Sequence, residues 1–246
     1  MVSFEPGAGT AEALWQAWPL LACLPVLDVA ACRRAVVVAP HPDDETLAVG
    51  GLMAVLLAAG AEVVLVAATD GEASHPGTAV TSPDRLRAVR TAETGSALAA
   101  LGPGALQHVR LHLPDGALVR YEQELAAALT ALLGPDDWCL APFEGDAHPD
   151  HEAGGRAASR ACARTGARLL SYPLWVWHWA TPDDARVPWS RAVRLPLPAD
   201  ARRRKRVAMA CYPSQTLPLG PAPEDAAVVP PAVLAHFLRP DEVLLT

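Results

Sequence analysis

Residues 35–45 read Ala35-Val36-Val37-Val38-Ala39-Pro40-His41-Pro42-Asp43-Asp44-Glu45, and this stretch decides the fold. Its first five residues form a short apolar run rich in β-branched side chains, the pattern of a strand covered on both faces. A polar turn follows. Residues 45–59 then read as a helix whose acidic first turn suits the positive end of the helix dipole, with Gly60 as its stop. Working outward, strands at 62–68, 106–113, 138–141 and 167–172 alternate with helices at 84–101, 121–133 and 151–164, and Ser82-Pro83 supplies an N-cap and first helical residue. Such alternation implies an α/β fold: a Rossmann-like, mostly parallel sheet with right-handed crossovers, flanked by helices. After Tyr172 the rhythm breaks into a Trp- and Pro-rich stretch, followed by a strand at 192–197 and a helix at 200–211. Prolines 213, 218, 221, 223, 230 and 231 predict an extended surface segment. With no internal repeat and no visible boundary, residues 1–246 read as one domain.

Composition narrows the function. A chain with 51% hydrophobic and 19% charged residues has the makings of a globular core, and a net charge of −7 gives no basic field to draw nucleic acid or anionic membranes. Five cysteines, at 23, 32, 139, 162 and 211, include no C-x-x-C pair, which fits a reducing compartment and excludes structural zinc fingers. Residues 13–27 are uncharged but contain Pro19 and Pro25 and fall short of the ~20 apolar residues that span a bilayer. Residues 1–27 carry Glu5 and Glu12 and no Lys or Arg, so they do not read as a signal peptide. The expectation is a cytoplasmic protein with no membrane insertion, its oligomeric state open.

In open parallel sheets ligands bind beyond the carboxyl ends of the strands, so the residues after each strand are the candidates for chemistry. They are His41, Asp43 and Asp44; then Asp70; then Asp115; then Glu144, Asp146, His148, Asp150 and His151. His41 and Asp44 bracket a turn restrained by Pro42, so both can reach one ion. An imidazole from His148-Pro149-Asp150-His151 would complete a 2-His-1-carboxylate set. Three protein ligands with an open position mark a catalytic site, because a structural zinc site closes with a fourth. A single His-Pro-Asp turn is more often just a helix start; two of them at facing strand ends favour a metal.

Pro40-His41-Pro42-Asp43-Asp44-Glu45 and His148-Pro149-Asp150-His151 together resemble the PIG-L/LmbE-like family of zinc-dependent N-deacetylases. Weaker matches are Thr69-Asp70-Gly71, Arg90-x-x-Glu93, Leu113-Pro114-Asp115-Gly116 and Tyr212-x-Ser214-Gln215. The resemblance covers residues 35–215, leaving 1–34 and 216–246 as flanking segments packing on that body. It implies a Rossmann-like fold and hydrolysis of the N-acetyl group of an N-acetylglucosaminyl compound, with one Zn²⁺ per chain. Carried over residue by residue, it makes His41, Asp44 and His151 the zinc ligands, Asp43 the general base, and His148 the group that stabilises the oxyanion or protonates the departing amine. Some members place a tyrosine two residues before that histidine, where this chain has Asp146; Asp146 and Asp70 are then candidates for orienting a ligand or supplementing the oxyanion site.

Arg90 and Asp115 match substrate-binding positions of the family, against the alternatives that Arg90 pairs with Glu93 on a helix surface and Asp115-Gly116 only turns the chain. Trp175, Trp177 and Trp179 would share one face of a strand, as core or as a sugar platform. Residues 202–206 (RRRKR) point all round a helix and read as mostly solvated. His75, His108, His112, His178 and His236 are left as structural or surface histidines. Two rival readings stand beside the deacetylase: a non-haem Fe(II) oxygenase built on His41-x-Asp43 and a distant histidine, and a metal-binding relative without catalysis. A nucleotide-binding module is excluded, since PHPDDE is not a G-x-G-x-x-G turn and its carboxylates would repel a pyrophosphate.

Overall fold

In the computed structural model, which describes residues 9–246, two short helices, α1 (Glu12–Gln16) and α2 (Pro19–Cys23), lead into the first buried strand. Residues 1–8, including Glu5 and the start of the expected flanking segment 1–34, lie outside the described residues. The alternation then runs β1 (Arg34–Ala39), α3 (Asp44–Ala58), β2 (Glu62–Ala67), α4 (Pro83–Leu101), β3 (Leu106–Arg110), α5 (Leu118–Leu132), β4 (Trp138–Pro142), α6 (Pro149–Thr165) and β5 (Arg168–Tyr172). These five strands are parallel, in the order β3-β2-β1-β4-β5. Because β1 pairs with β2 on one side and β4 on the other, the connection reverses there, and a crevice opens beyond their carboxyl ends.

The continuous apolar strands bury both faces, as parallel strands must. Ala35, Val37 and Ala39 of β1 enter one hydrophobic core, while Val36 and Val38 enter the other, on the opposite face of the sheet. Helix α3 is apolar nearly all round because it lies between the sheet and a further helix, α8, described below. Helices α5 and α6 cover the other face, and α6 approaches β4 closely at Gly155, where a Cβ would lie 2.6 Å from the Pro142 carbonyl oxygen.

Beyond β5 come α7 (Val176–Trp179), β6 (Ala192–Pro196), α8 (Ala199–Met209), α9 (Pro213–Thr216), α10 (Pro231–Leu234) and β7 (Asp241–Leu245). The last strand, unforeseen in the sequence, runs antiparallel between β5 and β6 and makes the sheet mixed. Four other expectations change. The third strand stops at Arg110, because His112 takes a left-handed φ of 55° and turns the chain. The Trp175, Trp177, Trp179 stripe lies on a helical turn: Trp177 packs against Trp15 and Trp189 in the core, while Trp179 Nε1 donates to the Asp146 carbonyl. The proline-dense segment is folded against the body, with Tyr212, Gln215 and Val229 buried. Within the basic run, Lys205 is buried and bonded to Glu242 at 2.7 Å, while Arg203 and Arg204 pair with Asp200.

Helix α3 is broken. Val49 has φ −132°, ψ 16°, which frees the Gly51 and Leu52 N–H groups, and both donate at 2.7 Å to the carboxylate of Glu242 on β7. The first turn of α3 is thereby a separate unit from the rest of the helix. Glu12 on α1 is likewise tied to distant residues, accepting from Arg239 and from His236 Nδ1. All five cysteines are free. Among the described residues no helix is long and apolar enough to cross a membrane.

Candidate functional site

His41, Asp43 and Asp44 stand on the turn from β1 into α3. Asp44 Oδ2 accepts the backbone N–H of His41 at 2.8 Å, closing the turn, and Asp43 at its apex has φ 111°. A non-glycine residue in that region is strained, so something must hold it. Arg90 does. Its guanidinium, 2% exposed, donates to the carbonyls of Pro42 at 2.5 Å and Gly71 at 3.0 Å and to Asp43 Oδ1 at 3.3 Å. Gly71 is required for that approach, since a Cβ there would lie 2.1 Å from Arg90 Nη1.

Across the crevice, His148 caps α6: its Nδ1 accepts the Asp150 N–H at 3.2 Å, leaving Nε2 to carry the proton of the neutral ring. One turn later His151 points back at the β1 turn. His41 Nδ1, Asp44 Oδ2 and His151 Nε2 then form a nearly equilateral triangle, with edges of 3.2, 3.4 and 3.3 Å. Zinc bonds of about 2.0–2.1 Å at tetrahedral angles separate neighbouring ligand atoms by about 3.3–3.4 Å. The donor set fits a tetrahedral ion with its fourth position open.

Carboxylates behind both imidazoles fix which nitrogen faces that triangle. His151 Nδ1 lies 2.7 Å from Asp146 Oδ2, and His41 Nε2 lies 3.2 Å from both Asp115 Oδ1 and Asp150 Oδ2. With the back nitrogen donating to its carboxylate, the front nitrogen of each ring offers a lone pair to a metal once the ring is neutral. Asp146 is fully buried and also accepts the N–H groups of Leu174, Trp175 and Val176; Asp150, equally buried, accepts those of Gly116 and Leu118. Two other groupings could also hold an ion: His41 with His148 and His151, or His41 with Asp115 and Asp150. Both share His41 with the triangle, and the first shares His151 as well.

The electrostatics follow from burial against charge. Burial lowers the His41 and His151 pKa values, but the surrounding carboxylates outweigh it, raising His41 well above its usual range and His151 to about 9. Burial and the charges of His151 and His41 push His148 down to about 3, so its ring is neutral. Burial raises Asp43 to about 8, reinforced by Asp44 and Glu45 and opposed by Arg90. Burial raises Asp115 too, yet its bond to His41 helps bring it down to about 2. The triangle opens into a cavity of about 220 Å³ bordered by Asp43, Asp115, His148 and Ser74, with an apolar wall of Leu47, Leu174, Trp175, Val228 and Val229.

The structure therefore gathers His41, Asp43, Asp44, His148 and His151 at one rim, and corrects three expectations. Arg90 lies beneath the turn, not in the cavity, and Glu93 pairs with Ser214 instead of Arg90. Asp70 bonds Arg110 and His112 at 2.9 Å, where His41 and His151 have other carboxylates behind them. Asp146 stands behind His151 with Oδ2 2.7 Å from Nδ1, which is the ligand-orienting one of its two expected places. Asp115 both borders the cavity and touches His41. Sequence reasoning gave Asp150 no role behind His41, although its place beside a helix-capping histidine was a usable signal. Nothing in the sequence marked Val228 and Val229 as cavity wall.

Residues 36–162 match the family model described as PIG-L, GlcNAc-PI de-N-acetylase. A 1D-myo-inositol 2-acetamido-2-deoxy-alpha-D-glucopyranoside deacetylase of Streptomyces avermitilis is 30% identical over 210 residues, 72% of this chain and 67% of that one. The chain spans from 24% to 67% of the length of the curated relatives it matches. Among solved structures, a conserved protein of Thermus thermophilus is 29% identical with a TM-score of 0.54, covering 74% of this chain and 79% of that one. The N,N'-diacetylchitobiose deacetylase of Pyrococcus horikoshii shares the fold at 20% identity and a TM-score of 0.57, covering 82% and 79%.

Proposed function

The chain belongs to the PIG-L family of GlcNAc-PI de-N-acetylases, and from that premise we propose that it is a zinc-dependent amide hydrolase. It removes the acetyl group from an N-acetylglucosaminyl-type small molecule, releasing acetate and a free amine. The observation that carries this reading is the triangle of His41 Nδ1, Asp44 Oδ2 and His151 Nε2, whose edges suit tetrahedral zinc.

Zinc held by those three residues supplies a Lewis acid for the amide carbonyl and acidifies water. Asp43, with Oδ1 held by Arg90 and its side chain at the cavity wall, takes the proton of the attacking water as the new C–O bond forms. The charges of Arg90 and His41 oppose the burial that raises Asp43 and so favour the ionised form that accepts the proton. The neutral His148 donates Nε2–H to the oxygen that gains negative charge, needing no prior protonation. As the C–N bond breaks, the proton gathered by Asp43 passes to the amine.

Asp43 and Asp44 separate the two roles. In Asp44→Ala bound zinc and acetate release should fall together, whereas Asp43→Asn should keep its zinc and lose about 10²–10⁴-fold in kcat with little change in KM. Zinc loss from Asp43→Asn with retention in Asp44→Ala would reverse the assignment and favour the His41-x-Asp43 iron site. The engagement of Asp43 with Arg90 argues against that rival. Acetate release itself distinguishes an enzyme from a metal-binding relative without catalysis.

A further inference from the structure

A second cavity adjoins the first. The two meet at Ala73, whose neighbour Ser74 borders the first and whose next residue, His75, borders the second. The second encloses about 350 Å³ between Pro76, Thr78, Thr81 and Leu86, and the surface it offers is predominantly apolar. Little of its polar lining faces it: Thr78 Oγ1 donates to Asp225, and Glu72 Oε2 and His75 Nε2 are buried without a hydrogen-bond partner. Val80, between the lining residues Thr78 and Thr81, is 54% exposed.

Size and chemistry both point to a ligand in two parts. The metal-side cavity alone falls below the ~300–1,000 Å³ typical of small-molecule sites, while the two together fall within it. A substrate larger than one sugar must extend beyond the first cavity, and the space beside it is this one. Resting on the deacetylase reading, we propose that the second cavity holds the group carried by the amino sugar and selects an apolar aglycone, aryl or short alkyl, over a polyol. A polyol would set most of its hydroxyls against apolar surface there and gain little, whereas apolar surface gains by leaving water.

The test uses the zinc-loaded protein and three free-amine glycosides, the methyl, phenyl and inositol conjugates of glucosamine, titrated by calorimetry. The phenyl conjugate should bind about 10- to 100-fold tighter than the methyl, and the inositol conjugate no tighter than the methyl. Thr81→Asp, which sets a charge in the second cavity and leaves the first intact, should erase the phenyl gain while changing methyl binding less than about twofold. Equal binding of phenyl and methyl conjugates, tightest binding of the inositol conjugate, or a phenyl gain that survives Thr81→Asp would each overturn the proposal. Acetate release from the N-acetyl counterparts keeps the two readings apart. Turnover of methyl and phenyl compounds with equal kcat/KM and equal binding refutes the apolar subsite alone; phenyl-selective binding with no acetate from any compound supports the subsite and refutes the reaction.

Discussion

Asp146→Asn isolates what the buried carboxylate behind His151 does. In the wild type, Oδ1 accepts the N–H groups of Leu174 and Val176, while Oδ2 accepts Trp175 N–H and lies 2.7 Å from His151 Nδ1. All four partners are donors, and an asparagine of the same shape has only one acceptor end. If its NH₂ faces His151, the ring must shift its proton to Nε2 and lose the lone pair that completes the triangle. If the amide flips, NH₂ confronts the Leu174 and Val176 N–H groups, and the α7 turn loses its anchor. Replacing a carboxylate that orients a ligand histidine typically costs 10–100-fold in metal affinity, about 1.4–2.7 kcal/mol. The tautomer conflict puts this variant at the upper end. A competition titration against a chromophoric chelator reads the affinity, and ¹⁵N spectra of the His151 ring read the tautomer. Unchanged zinc affinity with His151 still protonated at Nδ1 would refute the argument.

Zinc affinity should rise steeply with pH. His41 and His151, raised well above the usual range and to about 9, hold protons at neutral pH that the ion must displace, so the apparent constant should change by about 10–100-fold per unit between pH 6 and 8; a flat profile would contradict this. Arg90→Met should cost about 3–5 kcal/mol in thermal or denaturant unfolding, since it leaves two buried carbonyls and Asp43 without their cation, and a loss under about 1 kcal/mol would show that the turn holds itself. Burial works against ionised Glu12, but Arg239 and His236 lower it from 4.5 to about 2. Its stabilisation is therefore complete above pH 4.5 and lost as pH falls through about 2. Glu12→Gln should remove about 2–3 kcal/mol at pH 7 and flatten the dependence of stability on pH between 4.5 and 2.

The parallel half of the sheet was legible because a strand buried on both faces has no choice but continuous apolar, β-branched residues, and 35–39 and 62–68 have little else. The rim residues were legible for a related reason: topology alone carries the ends of β1 and β4 to one crevice. What was hidden depended on contacts made at a distance. Alternating tryptophans spell a strand until Asp146, about thirty residues earlier, captures three successive N–H groups and winds Leu174, Trp175 and Val176 into a turn. Arg90 reads as a substrate contact or as a partner of Glu93 on a helix surface until Gly71 opens the space that buries it. The antiparallel β7 is five residues long, and its pairing with β6 and β5 follows from neither proline spacing nor periodicity.

The clamp of Glu242 on the broken α3 has a consequence for biogenesis. A ribosome delivers His41 and Asp44 first, His151 more than a hundred residues later, and Glu242 after both. Until residue 242 emerges, the Gly51 and Leu52 N–H groups lack their carboxylate, Lys205 lacks its counter-charge, and the helix behind Asp44 is unfinished. A nascent chain that already displays both histidines should take up zinc poorly, and one arrested beyond residue 242 should take it up well, as zinc retained on ribosome-stalled chains would show.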